Sequence, residues 1–192
     1  MQRSRHQEIA CQQVLAEDSS VFSIQWSLFP AEITAMLTPR HLLDRYLVHI
    51  HRVTLAIIQP LESASGIEFR LLGSQLSMIS FLPPEAGDGV VILRIRGGLL
   101  VQPRQCHRGE LLFSVEQTFR GATVSLQLSY YCPLILGGSS PSFIRLWLYH
   151  LTQAAIHRLV TIRFLALLYR DLAGSSAPVR VVPFRVREGR PV

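Results

Sequence analysis

A chain of 192 residues that is 48% hydrophobic fits one domain of ordinary size with a sizeable core, and charges spread along its whole length exclude a disordered composition. The formal charge of +6 arises from 19 basic residues that are all arginine; lysine and asparagine are absent. Those absences exclude a Schiff-base lysine, a Walker-type phosphate lysine, a Ser-Lys dyad and N-glycosylation.

Both missing residue types use A/T-rich codons, so a G/C-rich genome accounts for the arginine bias and no specific nucleic-acid partner is expected from the high pI. The three cysteines, Cys11, Cys106 and Cys132, are odd in number and form no C-x-x-C pair, which fits reduced thiols rather than a disulfide framework or a zinc site. The N-terminus carries no h-region, so a cytoplasmic location is expected.

In chain order, residues 5–18 mix Gln, Glu and Arg with Ile9, Val14 and Leu15 and read as a short surface helix or loose arm. Val21 to Phe29 alternates in part and reads as a strand. Pro30 opens a helical stretch, and Thr38 with Pro39 forms the N-cap and first turn of a second helix to about Tyr46. From His49 the texture becomes β-branched, with strands expected at 48–58, 66–72, 75–82, 89–101, 109–119 and 122–132 between turn residues.

The last three runs have two distinct faces. Val91, Leu93 and Ile95 oppose Arg94 and Arg96; Leu111, Phe113 and Val115 oppose Glu110, Ser114 and Glu116; Val124, Leu126, Leu128 and Tyr130 form the buried side of the final strand. Arginines outside one strand and glutamates outside the next predict cross-strand ion pairs on a solvated face. Gly97 and Gly98 mark a bulge or kink that curls the sheet.

The longest element is a helix from Ser142 to Leu172, roughly 45 Å long at about 1.5 Å per residue and ended by Gly174. Arg145, His150, His157, Arg158, Arg163 and Arg170 interrupt its apolar residues too often for a membrane span, so it is expected to be amphipathic and packed on the sheet. Domain boundaries follow: an arm at 1–19, the folded domain at 20–173, and a basic flexible tail at 174–192 in which Val179–Val186 could add a strand.

A strand, two short helices, six strands and a long C-terminal helix is the element order of the helix-grip fold. Over about residues 20 to 172, with the closing sheet RGELLFSVEQ…GATVSLQLSYYCPL followed by SFIRLWLYHLTQAAIHRLVTIRFL, the chain resembles the SRPBCC superfamily of START domains, birch-pollen-allergen-like proteins and polyketide aromatase/cyclases. The resemblance implies an α+β fold in which a curved antiparallel sheet of about seven strands wraps around the C-terminal helix. It also implies a cavity between them for a hydrophobic small molecule such as a lipid, polyketide or aromatic. No residue matches a family active-site position.

The polar residues on apolar faces are the candidate ligand contacts. His49 and His51 form a His-x-His pair, which on a strand would lie about 7 Å apart with both imidazoles inward. No supporting third ligand has suitable spacing, so pocket-lining histidines are expected and no metal or cofactor. His150 and His157 share a helix face with Thr161, and Tyr130 ends the inward series of the last strand, with Tyr131 and Tyr149 nearby at the strand-to-helix junction. The expected lining is therefore His49, His51, Tyr130, His150, His157 and Thr161. Nucleophile motifs are missing. The second expectation is a cyclase-type enzyme using His and Tyr as acid and base in the same cavity. The third is weak contact with anionic surfaces through Arg163, Arg170 and the tail arginines Arg180, Arg185, Arg187 and Arg190.

Overall fold

The computed structural model describes residues 6–34, 36–103, 109–119, 121–137, 144–145, 149, 153–174 and 177–191. Strands β1 (Gln7–Leu15) and β2 (Val21–Phe29) form a hairpin, followed by α1 (Ala31–Thr34) and α2 (Pro39–Val53). Then come β3 (Ile58–Ser63), β4 (Gly66–Leu71), β5 (Ser77–Phe81), β6 (Glu85–Gly87), β7 (Val90–Gly97), β8 (Glu110–Thr118) and β9 (Gly121–Tyr131). A 3-10 turn at Leu134–Leu136 precedes α3 (Ala155–Ala173), and β10 (Val179–Pro183) and β11 (Arg190–Pro191) follow it.

The strand order is β10-β1-β2-β9-β8-β7-β5-β4-β3, with β11 on β1 and β6 on β7. Every described pairing is antiparallel except β1 with β10. The protein is thus a mixed α+β fold, a large and mostly antiparallel sheet with a long C-terminal helix, though the sheet has 11 strands where about seven were expected.

The alternating runs set the inner face. Val91, Leu93 and Ile95 of β7 lie beside Leu111, Phe113 and Val115 of β8 and Val124 and Leu126 of β9, all buried. Both long helices cover this face. The Tyr46 ring of α2 meets Phe113 at 5.3 Å and Phe164 of α3 at 5.2 Å, and Phe29 of β2 meets Tyr169 of α3 at 5.4 Å. Such edge contacts contribute about 1 kcal/mol each beyond the burial of the rings. On the outer face Arg94 pairs with Glu110 at 3.7 Å, the expected bridge between β7 and β8, and with Glu85 at 2.9 Å, whereas Arg96 turns to Glu68 of β4 at 3.2 Å. Being exposed, they add little stability.

At the β1–β2 end the inner face is polar and buried, and its glutamines grip the helix backbone. Gln7 Nε2 donates to the Leu165 carbonyl at 3.2 Å and to Ser27 Oγ at 3.3 Å, while Gln13 Nε2 donates to the Ala154 carbonyl at 3.5 Å. Gln25 Nε2 donates to Ser23 Oγ at 2.8 Å. These bonds fix where α3 crosses the sheet.

Four expectations change. Residues 5–18 are not a helix or arm: Gln7–Leu15 is strand β1, whose polar glutamines face a polar helix backbone instead of water. The strand drawn at 48–58 is instead the end of α2 as far as Val53 and a turn into β3, because Leu42, Leu43, Tyr46 and Ile50 continue a helical stripe from the Thr38 cap. The C-terminal tail is ordered where described, with β10 parallel to β1, Phe184 edge-on to Trp26 at 5.6 Å and the Arg187 guanidinium 5.0 Å from the Tyr130 ring centre. The 142–172 helix is seen as Ala155–Ala173, preceded by π-wound Gln153 and Ala154 and by helical Ile144, Arg145 and Tyr149; residues 142, 143, 146–148 and 150–152 lie outside the described set.

Candidate functional site

Between the two helices and the β3–β9 half of the sheet lies a cavity of about 230 Å³. Helix α2 contributes Tyr46, Ile50 and Thr54, one stripe at successive i,i+4 steps. The sheet contributes Ile58, Phe69, Phe81, Ile95, Leu111 and Leu128, its apolar inner face. Met78, Ile79 and Leu100 close one end, where β5 meets the segment after β7. Tyr131, at the end of β9, lines it as well.

Gly98 makes that end possible. Its φ is +129°, and a Cβ there would stand 2.5 Å from the Met78 carbonyl oxygen. The β5–β7 register shifts next to Gly97, in keeping with the expected kink.

The fourth wall is the start of α3, with Ile156, His157 and Val160, together with Gln153 and Tyr149 just before it. His157 keeps partial solvent exposure, yet the loss of hydration inside the wall pushes its imidazole down to about 4, so it is neutral at pH 7. Burial also raises the Tyr46 phenol to about 12, moderated by the neighbouring Thr161 hydroxyl. Tyr131 and Tyr149 are raised further by burial; their mutual proximity adds to the rise at Tyr131, and a bond with Gln13 offsets part of it at Tyr149. Tyr131 donates to the Leu100 carbonyl at 2.9 Å and Thr54 to the Ile50 carbonyl at 2.8 Å. Gln153 Oε1 is buried without a hydrogen-bond partner.

Of the residues expected to line the cavity, His157 does so. His49 is buried on the other side of α2, its Nε2 3.1 Å from the Val160 carbonyl oxygen, and faces an open groove between the helices with Arg52 and Arg163. Burial, with Arg163 nearby, lowers its pKa against the opposing effect of the Val160 bond. His51 is exposed: on a helix, positions two apart point to different sides, so the pair cannot share a guest or an ion. No group of three His, Cys, Asp or Glu residues suited to a metal occurs among the described residues.

Thr161 is fully buried between the helices, beside Tyr46 but short of hydrogen-bond geometry, and behind the cavity wall. Tyr130 points outward, half-exposed, with φ +53°. The β2–β9 register slips there, from Ser23 opposite Leu128 to Val21 opposite Tyr131, so a bulge reverses the alternation and turns Tyr131 inward in its place. His150 lies outside the described residues. Sequence reasoning passed over Gln153 and Tyr46. The i,i+4 ladder through Tyr149, Gln153 and His157 was the signal for the first, and the i,i+4 step from Tyr46 to Ile50 for the second.

The architecture defines a mixed α+β protein with a cavity between helices and sheet. No protein-family model matches the chain, and no curated protein matches it significantly. Among solved structures it is similar to the solution NMR structure of CalU16 from Micromonospora echinospora, at TM-score 0.40 and 11% identity over 90% of this chain and 76% of that one. The crystal structure of CalU16 from the same organism matches at TM-score 0.31 and 10% identity over 88% and 96%. Among the described residues no helix is long and apolar enough to cross a membrane.

Proposed function

We propose that the protein is a helix-grip-type binding module that holds a hydrophobic small molecule between α2, α3 and the inner face of the sheet. The observation that carries this reading is the cavity of about 230 Å³, with mostly apolar walls and a few polar groups among them. That is the usual composition of a small-molecule site, in which apolar contact supplies affinity and sparse polar groups supply orientation. Binding fits better than the alternative, turnover by a cyclase-type enzyme. An imidazole held near 4 and phenols raised by burial are poorly matched to proton transfer at neutral pH, where a catalytic acid or base works best with a pKa close to the operating pH.

The test is native mass spectrometry of protein purified without added ligand, paired with titration of an apolar fluorescent dye. A retained small molecule or saturable dye binding is expected, weakened by Leu128→Phe, which pushes a ring into the cavity. An empty protein that binds no dye, or equal binding by the Leu128→Phe variant, would remove the proposal.

A further inference from the structure

We infer that the cavity selects an uncharged ligand whose apolar body carries a hydroxyl or similar hydrogen-bonding group, received by Gln153 and His157, and that it refuses carboxylates and phosphates. The inference deepens the binding reading and rests on it.

The polar groups of the lining divide into two sets. Tyr131 and Thr54 are occupied by backbone carbonyls and Tyr149 by the Gln13 side chain, while the Tyr46 hydroxyl lies on the α2 wall beside Thr161, short of hydrogen-bond geometry. Gln153 Oε1 is buried without a hydrogen-bond partner among the described residues, and His157 lines the same apolar wall. They are four residues apart at the start of α3, so both project from one face toward the same space. Gln153 is π-wound, a local rewinding that recurs at functional sites, and the adjacent Ala154 carbonyl is taken by Gln13. An unpartnered buried amide is costly and calls for a partner. Because either end of an amide can be turned toward the cavity, Gln153 offers a donor or an acceptor, and a neutral imidazole offers one of each.

Among the described residues the same lining contains no charge. Its described ionisable members are Tyr46, Tyr131, Tyr149 and His157, and no described Arg, Asp or Glu is among them. Burial without an anionic neighbour keeps His157 neutral at pH 7. An anion entering this site would lose its hydration and find no countercharge among these residues, whereas a hydroxyl would donate to the unpartnered Gln153 oxygen and accept from the His157 imidazole.

Three probes that share one skeleton test this at pH 7.5 by calorimetry: 2-methylnaphthalene, 2-naphthol and 2-naphthoate. Wild-type protein is expected to bind 2-naphthol about tenfold tighter than either of the others. Gln153→Leu and His157→Phe, singly and together, should retain methylnaphthalene binding while reducing the naphthol preference to about twofold. The wild-type comparison stands even if a variant fails to fold. Naphthoate binding as tight as naphthol, or a preference that survives both substitutions, overturns the inference. Methylnaphthalene binding with no naphthol preference overturns it and leaves the cavity reading in place; failure of all three probes overturns both.

Discussion

His157 couples the site to pH. Its folded pKa of about 4 lies below the ordinary value of 6.5, so below pH 6.5 the unfolded chain takes a proton that the folded chain refuses. Stability is therefore fully present above about 6.5 and falls as the pH drops toward 4, the direction for any group whose pKa is depressed by folding. Between pH 6.5 and 5, before most carboxylates titrate, the expected loss is about 2 kcal/mol. Urea unfolding at pH 7 and pH 5 should show this loss in the wild type and a smaller one in His157→Phe, the remainder coming from His49, which shifts in the same direction. Parallel losses in the two proteins would mean that the imidazole is not held neutral. Thr161 gives a second expectation of opposite sign. Its hydroxyl is buried without a bond, so Thr161→Val keeps the shape, removes an unsatisfied polar atom and should stabilise by about 1 kcal/mol. Destabilisation by a similar amount would show that the hydroxyl is bonded in solution.

Gly98 is the point where one residue determines an element. Gly98→Ala forces a side chain against the Met78 carbonyl at an unfavourable φ and should cost about 2 kcal/mol or more, with dye binding weakened because Met78 and Ile79 form the cavity wall. Unchanged stability and binding would show that the β5–β7 junction relaxes freely. Elements with one wet and one dry face were legible in the sequence: β7, β8 and β9 as far as Leu128 alternate cleanly, and the Arg94–Glu110 pair followed from that alternation. Elements whose faces break this rule were not. Strand β1 faces a helix backbone with Gln7 and Gln13, so its pattern looked like a solvated surface. From the end of α2 into the turn after it, Val53, Leu55 and Ile57 continue the His49 and His51 positions at a spacing of two that mimics a strand. The bulge that exchanges Tyr130 for Tyr131 occurs without Gly or Asn, the usual marks of positive φ, and so left no trace in the sequence. The histidine face of the last helix was recognised through His157, but its amide partner Gln153 passed as ordinary helix surface.

Over the whole molecule the largest departure from the sequence reading is the return of the C-terminal segment to the first strand. Arg180, Arg185, Arg187 and Arg190 with their prolines have the composition of a solvated arm, yet β10 pairs along β1 from Gln7 to Cys11. Gln12 Oε1 accepts from the Val186 amide at 2.7 Å and the Arg187 amide at 3.0 Å. The Arg187 guanidinium also lies 5.4 Å from the Phe22 ring centre, and Arg180 reaches Glu8 at 3.9 Å. The segment therefore covers an edge of the sheet and part of its outer face, including the buried Ala10, Val14 and Phe22. Without it, β1 would present an unpaired edge, which invites pairing with a second chain. The same strand holds α3 through Gln7 and Gln13, so loosening β1 should reach the cavity wall at Gln153 and His157. Truncation after Gly174 is accordingly expected to lower the thermal midpoint by more than about 5 °C, promote association seen by light scattering, and weaken dye binding together with the fold. Phe184→Ala with Arg187→Ala should produce a smaller shift in the same direction without opening the edge. A truncated protein that stays monomeric with an unchanged midpoint would restore the segment to a free arm and detach it from the site.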